Sequence, residues 1–213
     1  MSDDMPQPYR KKILTLAGID MGPMAVLKRH EPALGIAAVA AAWGNVERSM
    51  EFLTLVMLGV DAKIGHAIYS ALIGSAAQKA AFNAIAKLKL TGDEQTHLAE
   101  LLAEFAARGG ERNRVVHGVW AALPDVPDGL VLLDMDAHLP TLVAFEAGER
   151  TSDDAQEMKG KHLVYKARDF QDVLDRMLTL QNRLFIFGVL IRNRGIIKRA
   201  KNNEGDGGSV DGT

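Results

Sequence analysis

The chain has 213 residues and is 47% hydrophobic, enough to bury a sizeable core. Lys plus Arg number 25 against 27 Asp plus Glu, a net charge of −2, which excludes a polybasic nucleic-acid coat because such proteins carry a strongly positive balance. Cysteine is absent, and with it disulfides, thiolate metal sites, cysteine nucleophiles and iron–sulfur ligation.

The opening MSDDMPQPYRKK places two acids where a secretory signal needs an unbroken apolar core, and the longest apolar run, Ala33 to Trp43, is about half a membrane span. A soluble, cytoplasmic protein without a membrane partner is expected. Residues 1–30 hold three of the seven prolines and mixed charge, and read as an N-terminal arm packed on the body. Pro32 is placed to start a helix. From there Ile36, Val39, Ala40, Trp43, Val46, Met50, Leu53 and Met57 recur at three- and four-residue steps, one apolar stripe that Gly59 closes. A second long helix is predicted from Asp61 to about Leu88, with Ile64, Ile68, Leu72, Ala76, Ala80 and Ile85 on its apolar face.

After the turn Leu90-Thr91-Gly92-Asp93, a third helix carries Leu98, Leu101, Leu102 and Phe105, and Gly109-Gly110 is expected to end or kink it. Residues 111–120 then read as a fourth, shorter helix with Val115, Val116, Val119 and Trp120 turned inward, stopped by Pro124 and Pro127. Leu130–Leu133, Thr141–Phe145 and His162–Lys166 are β-prone runs, with a mobile polar link expected over 148–160. A last long helix begins near Asp169, placed to cap it, with Phe170, Val173, Leu174, Met177, Leu180, Leu184, Phe187 and Ile191 as its stripe. The fold class is therefore mainly α: a four- to five-helix bundle with a small antiparallel β insertion before the last long helix. The domain spans 31–198, its insertion spans 129–166, and residues 199–213 are expected to form a disordered tail.

The chain has no phosphate-binding loop, no G-x-S-x-G elbow, no His-Glu-x-x-His helix and no dinucleotide fingerprint. Its six histidines, at 30, 66, 97, 117, 138 and 162, are too scattered to suggest a metal cluster. One stretch combines reactive groups: Arg112-Asn113-Arg114-Val115-Val116-His117. On a helix, Asn113 and His117 share a face, and the long Arg112 side chain can swing to the same place. A histidine, a fixed cation and an amide side by side supply proton transfer and charge stabilisation for phosphodiester cleavage without a metal.

Arg, then Asn, then His after four intervening residues, late in a small helical bundle, resembles the R-x4-6-H motif of the HEPN superfamily, the "higher eukaryotes and prokaryotes nucleotide-binding" proteins. Arg112, Asn113 and His117 match it, followed by Gly118 and Trp120. The order of helices over 31–123 and 168–195 is also similar. The resemblance implies a homodimer with two motifs facing a shared cleft, needing no cofactor and acting as an endoribonuclease. It implies His117 as general base or acid at the ribose 2′-hydroxyl and the leaving oxygen, Arg112 holding the scissile phosphate, and Asn113 orienting either. It further implies a toxin or phage-defence role, often with a nucleotidyltransferase-type antitoxin as partner. Members that have lost catalysis supply the alternative: a helical dimer that binds a protein or a nucleotide.

Arg114, Glu47 and Lys79 are secondary candidates for contact with RNA. Each also has an ordinary reading as a solvated or ion-paired helix residue. The competing reading of the motif is a charged helix surface, with Arg112 paired to Glu111 or Glu104. His66, His97, His138 and His162 read as surface or structural. The basic run from Arg192 to Lys201 holds too few aromatics for base stacking and suits a helix C-terminus.

Overall fold

In the computed structural model, residues 9–11, 18–72, 75–133, 135–148 and 162–205 are described. The elements run β1 (Tyr9–Lys11), β2 (Asp20–Met21), α1 (Pro23–Leu27), α2 (His30–Leu58), α3 (Ala62–Ala71), α4 (Ser75–Lys89), α5 (Gly92–His117), β3 (Val119–Ala122), β4 (Gly129–Leu133), α6 (Met135–Glu146), β5 (His162–Lys166) and α7 (Ala167–Gly205). The protein is mainly helical, with a small antiparallel sheet ahead of the last long helix. Two compact units divide the chain: residues 1–43 with 108–177, and residues 44–107 with 178–213.

The first unit holds the sheet, in the order β1-β5-β4-β3-β2 with every pairing antiparallel. Residues predicted only to pack on the body supply both edge strands: Tyr9 pairs with Val164, and Asp20 with Ala122. Ala121, Leu123, Val126, Val131, Leu133 and Val164 form a buried cluster in this unit, with Ile19 and Met135 against it. Trp120, Tyr165 and Phe170 form a second one. The indole stands edge-on to the phenol ring at 5.1 Å and tilts against Phe170 at 5.5 Å, a favoured aromatic geometry. Gly35 of α2 lies under Phe170, where an added Cβ would sit 2.5 Å from the Phe170 Cβ, so a bare backbone permits this approach of α2 to α7.

In the second unit, Val46, Met50, Leu53 and Met57 of α2 are buried, as are Leu98 and Leu101 of α5 and Leu180, Leu184, Phe187 and Ile191 of α7. Three- and four-residue spacing put these positions on their helical faces. Phe52 stacks on Phe185 at 5.3 Å and lies against Gly188, where a Cβ would meet its ring at 2.7 Å.

Several expectations are corrected. The predicted second helix is two: α3 ends at Ala71, with Leu72 after it in an extended conformation, and α4 starts at Ser75. Its proposed stripe fails as well, because Ile64 and Ile68 are 56% and 46% exposed while Gly65, Phe82 and Ala86 are the buried positions of α3 and α4. Alanine spreads weak apolar character around the whole helix, so spacing alone does not select a face. Gly109-Gly110 does not end a helix, since α5 is continuous from Gly92 to His117. Gly109 instead leaves room for Trp43, whose Cη2 would lie 3.2 Å from an added Cβ. The separate helix over 111–120 is therefore the end of α5, and Val119 and Trp120 belong to β3.

Thr141–Phe145, read as β-prone, lies within α6, so tertiary context overrides the preference of Thr141 and Val143 for strands. Asp169 is the third residue of α7 instead of its cap. Its Oδ2 reaches back to accept the Lys166 backbone N–H at 2.7 Å, the acidic half of a capping box. Of the tail expected to be disordered over 199–213, residues 199–205 instead continue α7, while 206–213 and the link over 149–160 lie outside the described residues.

Candidate functional site

Arg112, Asn113 and His117 occupy the last two turns of α5, in the first unit. Helix-end carbonyls have no intrahelical donor, and here the Trp120 indole N–H donates to the Val115 carbonyl at 2.9 Å. That bond ties the end of α5 to β3 across the single residue Gly118. Gly118 has no room for a side chain, since a Cβ there would collide with the Leu132 side chain and the Arg114 carbonyl. His117 thus sits at a tight helix-to-strand junction, fixed by a buried tryptophan and a glycine.

The structure brings the three motif side chains together. Arg112 Nη1 donates to Asn113 Oδ1 at 2.9 Å and lies 2.9 Å from His117 Nε2. A guanidinium has only donors, so Nε2 must accept, which places the imidazole proton on Nδ1 in this arrangement. Arg112 Nε is buried without a partner among the described residues. Neither carboxylate suggested by the competing reading takes Arg112. Glu111 pairs with Arg108 at 2.7 Å and with Arg176 at 3.4 Å, and Glu104 pairs with Arg183.

Beside the motif lies a shallow cleft of about 420 Å³. Its polar edge is Asn113, Arg114, His117 and Asp136, and its apolar wall is Val119, Leu132, Leu133, Met135 and Leu163. Arg114 hydrogen-bonds the Tyr165 hydroxyl. Burial raises the Tyr165 pKa above 10.0, and Arg114 opposes that shift. Arg114 is thereby held at the cleft although it is exposed, as are Asn113 and His117, while Arg112 is half-buried. Glu47 and Lys79 belong to the second unit. There Glu47 acts with Glu51 on the half-buried Tyr69, whose pKa is raised first by burial and then by these two carboxylates.

Sequence reasoning missed Asp136, in the first turn of α6, because the downstream β-prone run hid the helix it starts. An acid at the head of a helix was the available signal. Of the remaining histidines, His66 pairs with Glu51 at the surface, His97 lies edge-on to Phe187, and His162 is fully buried in β5. The side chain of His138 lies outside the described ones. Among the described residues, no three His, Asp or Glu gather as a metal site, and no single helix is long and apolar enough to cross a membrane. Comparison with family models, curated proteins and solved structures gives no match.

Proposed function

We propose that this protein is a metal-independent endoribonuclease of HEPN type, working as a homodimer in which two copies of the motif face one cleft. The observation that carries this reading is the contact of Arg112 with both Asn113 and His117 at the head of an open cleft. In RNA cleavage the ribose 2′-oxygen attacks phosphorus, a P–O2′ bond forms, the P–O5′ bond breaks, and a 2′,3′-cyclic phosphate remains. His117 takes the 2′-hydroxyl proton, and an imidazolium returns a proton to the departing 5′-oxygen. Arg112 offsets the charge that builds on the phosphate oxygens.

The resting geometry suggests an order of events. Arg112 holds the His117 Nε2 lone pair until a phosphate arrives. A charge-assisted bond from guanidinium to phosphate is stronger than one to neutral imidazole, so substrate draws Arg112 away and frees Nε2 to act as base. Asn113, already bonded to Arg112, keeps the guanidinium close. A toxin or phage-defence role, restrained by a nucleotidyltransferase-type antitoxin, is the biological setting that goes with this chemistry.

The test is incubation of purified protein with total RNA in EDTA, beside His117→Ala, with end-group analysis of the fragments. Cleavage to 2′,3′-cyclic phosphate ends by the wild type alone is expected. No cleavage, or equal cleavage by the variant, removes the catalytic reading in favour of a helical dimer that only binds a protein or nucleotide.

A further inference from the structure

We infer that the cleft beside His117 is a nucleobase subsite in which the Asp136 carboxylate selects guanine. The inference takes the occupant's class, a ribonucleotide, from the ribonuclease reading above; the selection itself rests on the cleft.

Charge is divided across the cleft. Arg114 and His117, with Arg112 behind them, line the side formed by α5, and Asp136 lines the side formed by the start of α6. A phosphate is drawn to the first side and repelled from the second. Whatever reaches Asp136 must therefore be the part of the nucleotide that offers donors instead of negative charge. Asp136 is exposed and makes no hydrogen bond or ion pair among the described residues. Arg114, the cation sharing its cleft, is engaged by the Tyr165 hydroxyl. A carboxylate accepts through two oxygens at once and donates nothing when ionised.

Guanine is the base that satisfies this demand. Its Watson–Crick edge carries N1–H and the N2 amino group side by side, two donors matched to two carboxylate oxygens. Cytosine and adenine each set one amino group beside a ring-nitrogen acceptor. Uracil sets one imide N–H between two carbonyl oxygens. In these three bases an acceptor faces the carboxylate. Single-stranded RNA is read in this way, by hydrogen bonds to base edges splayed out of a stack. Val119, Leu132 and Met135 offer an apolar surface for the flat faces of the base, and about 420 Å³ is in the range of small-ligand sites, roughly 300–1,000 Å³.

Two measurements test the inference separately from the ribonuclease reading. The first is equilibrium binding of the four 3′-nucleoside monophosphates to wild type, Asp136→Ala and the size-matched Asp136→Asn, with thermal melts confirming that each variant folds. Wild type should bind 3′-GMP roughly 10- to 100-fold more tightly than the other three, the scale of a good bidentate contact to a base, and both variants should lose that ratio. Equal binding of all four nucleotides, or a ratio unchanged in both variants, overturns the inference. The second maps cleavage of an RNA oligonucleotide containing all sixteen dinucleotide steps. Guanine-selective binding without cleavage keeps the subsite and removes the nuclease. Cleavage without base preference keeps the nuclease and removes the subsite.

Discussion

Arg112 Nη1 lies 2.9 Å from His117 Nε2 although five residues separate them on one helix. The backbone directions of positions five apart differ by roughly 140° on an ideal helix, so the contact depends on the length of the arginine and on where α5 stops. Because the helix ends at His117 and turns at once into β3, no later helical turn stands between the guanidinium and the imidazole. The same stop leaves the ring at the mouth of the cleft.

Arg112→Lys keeps the charge but loses the planar fork that reaches Asn113 and His117 from one nitrogen. Removal of a single transition-state donor commonly costs about 10²–10³ in kcat. Arg112→Ala is expected to lose at least that much RNA cleavage, with Arg112→Lys between it and wild type. Asn113→Ala, which leaves charge and imidazole in place, should cost less than either. Initial rates on a fluorescent oligonucleotide check the order, and a lysine variant as active as wild type would contradict the bridging role.

Gly118 is the point where the junction tolerates no side chain. In Gly118→Ala the new Cβ meets the Arg114 carbonyl and the Leu132 side chain, and only Leu132 has freedom to move. Overpacking of this kind costs roughly 1–3 kcal/mol, and the backbone shift that relieves it displaces the adjacent His117. Lower denaturant stability together with cleavage reduced beyond the loss of folded protein is the expected pair of results. A variant as stable and active as wild type would show that the junction does not position the histidine.

Long elements with a strong stripe were legible in the sequence: α2, the first part of α5 and α7 bury most of the residues their spacing picks out, although Ala40 is exposed and Ile36, Leu102, Phe105 and Leu174 are half-buried. The motif was legible too, because its members lie within one helix. What the sequence hid depends on distant partners. Gly109 reads as a helix breaker until Trp43 is seen to need its space, and Trp120 reads as helical until it pairs with Leu132 in the sheet. Asp136 meets His117 through the pairing of β3 with β4, which brings residues 118 and 136 to one cleft. No local spacing encodes that meeting.

Two carboxylates give opposite pH responses. At the start of α5, desolvation raises the Glu94 pKa, but the Thr91 backbone N–H and side chain together with Arg194 outweigh it, and the net value lies below 4.5. Its stabilisation is present above that unfolded value and is lost as pH falls through the folded one. Wild type should therefore exceed Glu94→Gln in stability at neutral pH, and the gap should close on acidification. Burial raises the Asp169 pKa above 3.8, against the opposing Lys166 N–H bond. Its contribution is full below 3.8 and is lost as pH rises through the folded value, so Asp169→Asn should improve relative to wild type as the pH rises above 3.8. Urea midpoints from about pH 2 to 7 check both slopes.

The paired glycines of α5 give a test in which neighbouring residues should respond with opposite signs. Glycine in a helix interior costs roughly 0.5–1 kcal/mol relative to alanine, because the unfolded chain has more freedom to lose. An added Cβ at Gly110 meets nothing within 4 Å, so Gly110→Ala should recover that amount as a higher urea midpoint with an unchanged slope. At Gly109 the same gain is opposed by Trp43, 3.2 Å from the new Cβ. A branched side chain there would add atoms against a buried indole and lose rotamer freedom in the helix. Gly109→Val should therefore destabilise by roughly 1–3 kcal/mol, and shrinking the partner in a Trp43→Phe background should recover part of the loss. If both glycines accept larger residues equally well, the packing of Trp43 on α5 is not what keeps Gly109 small.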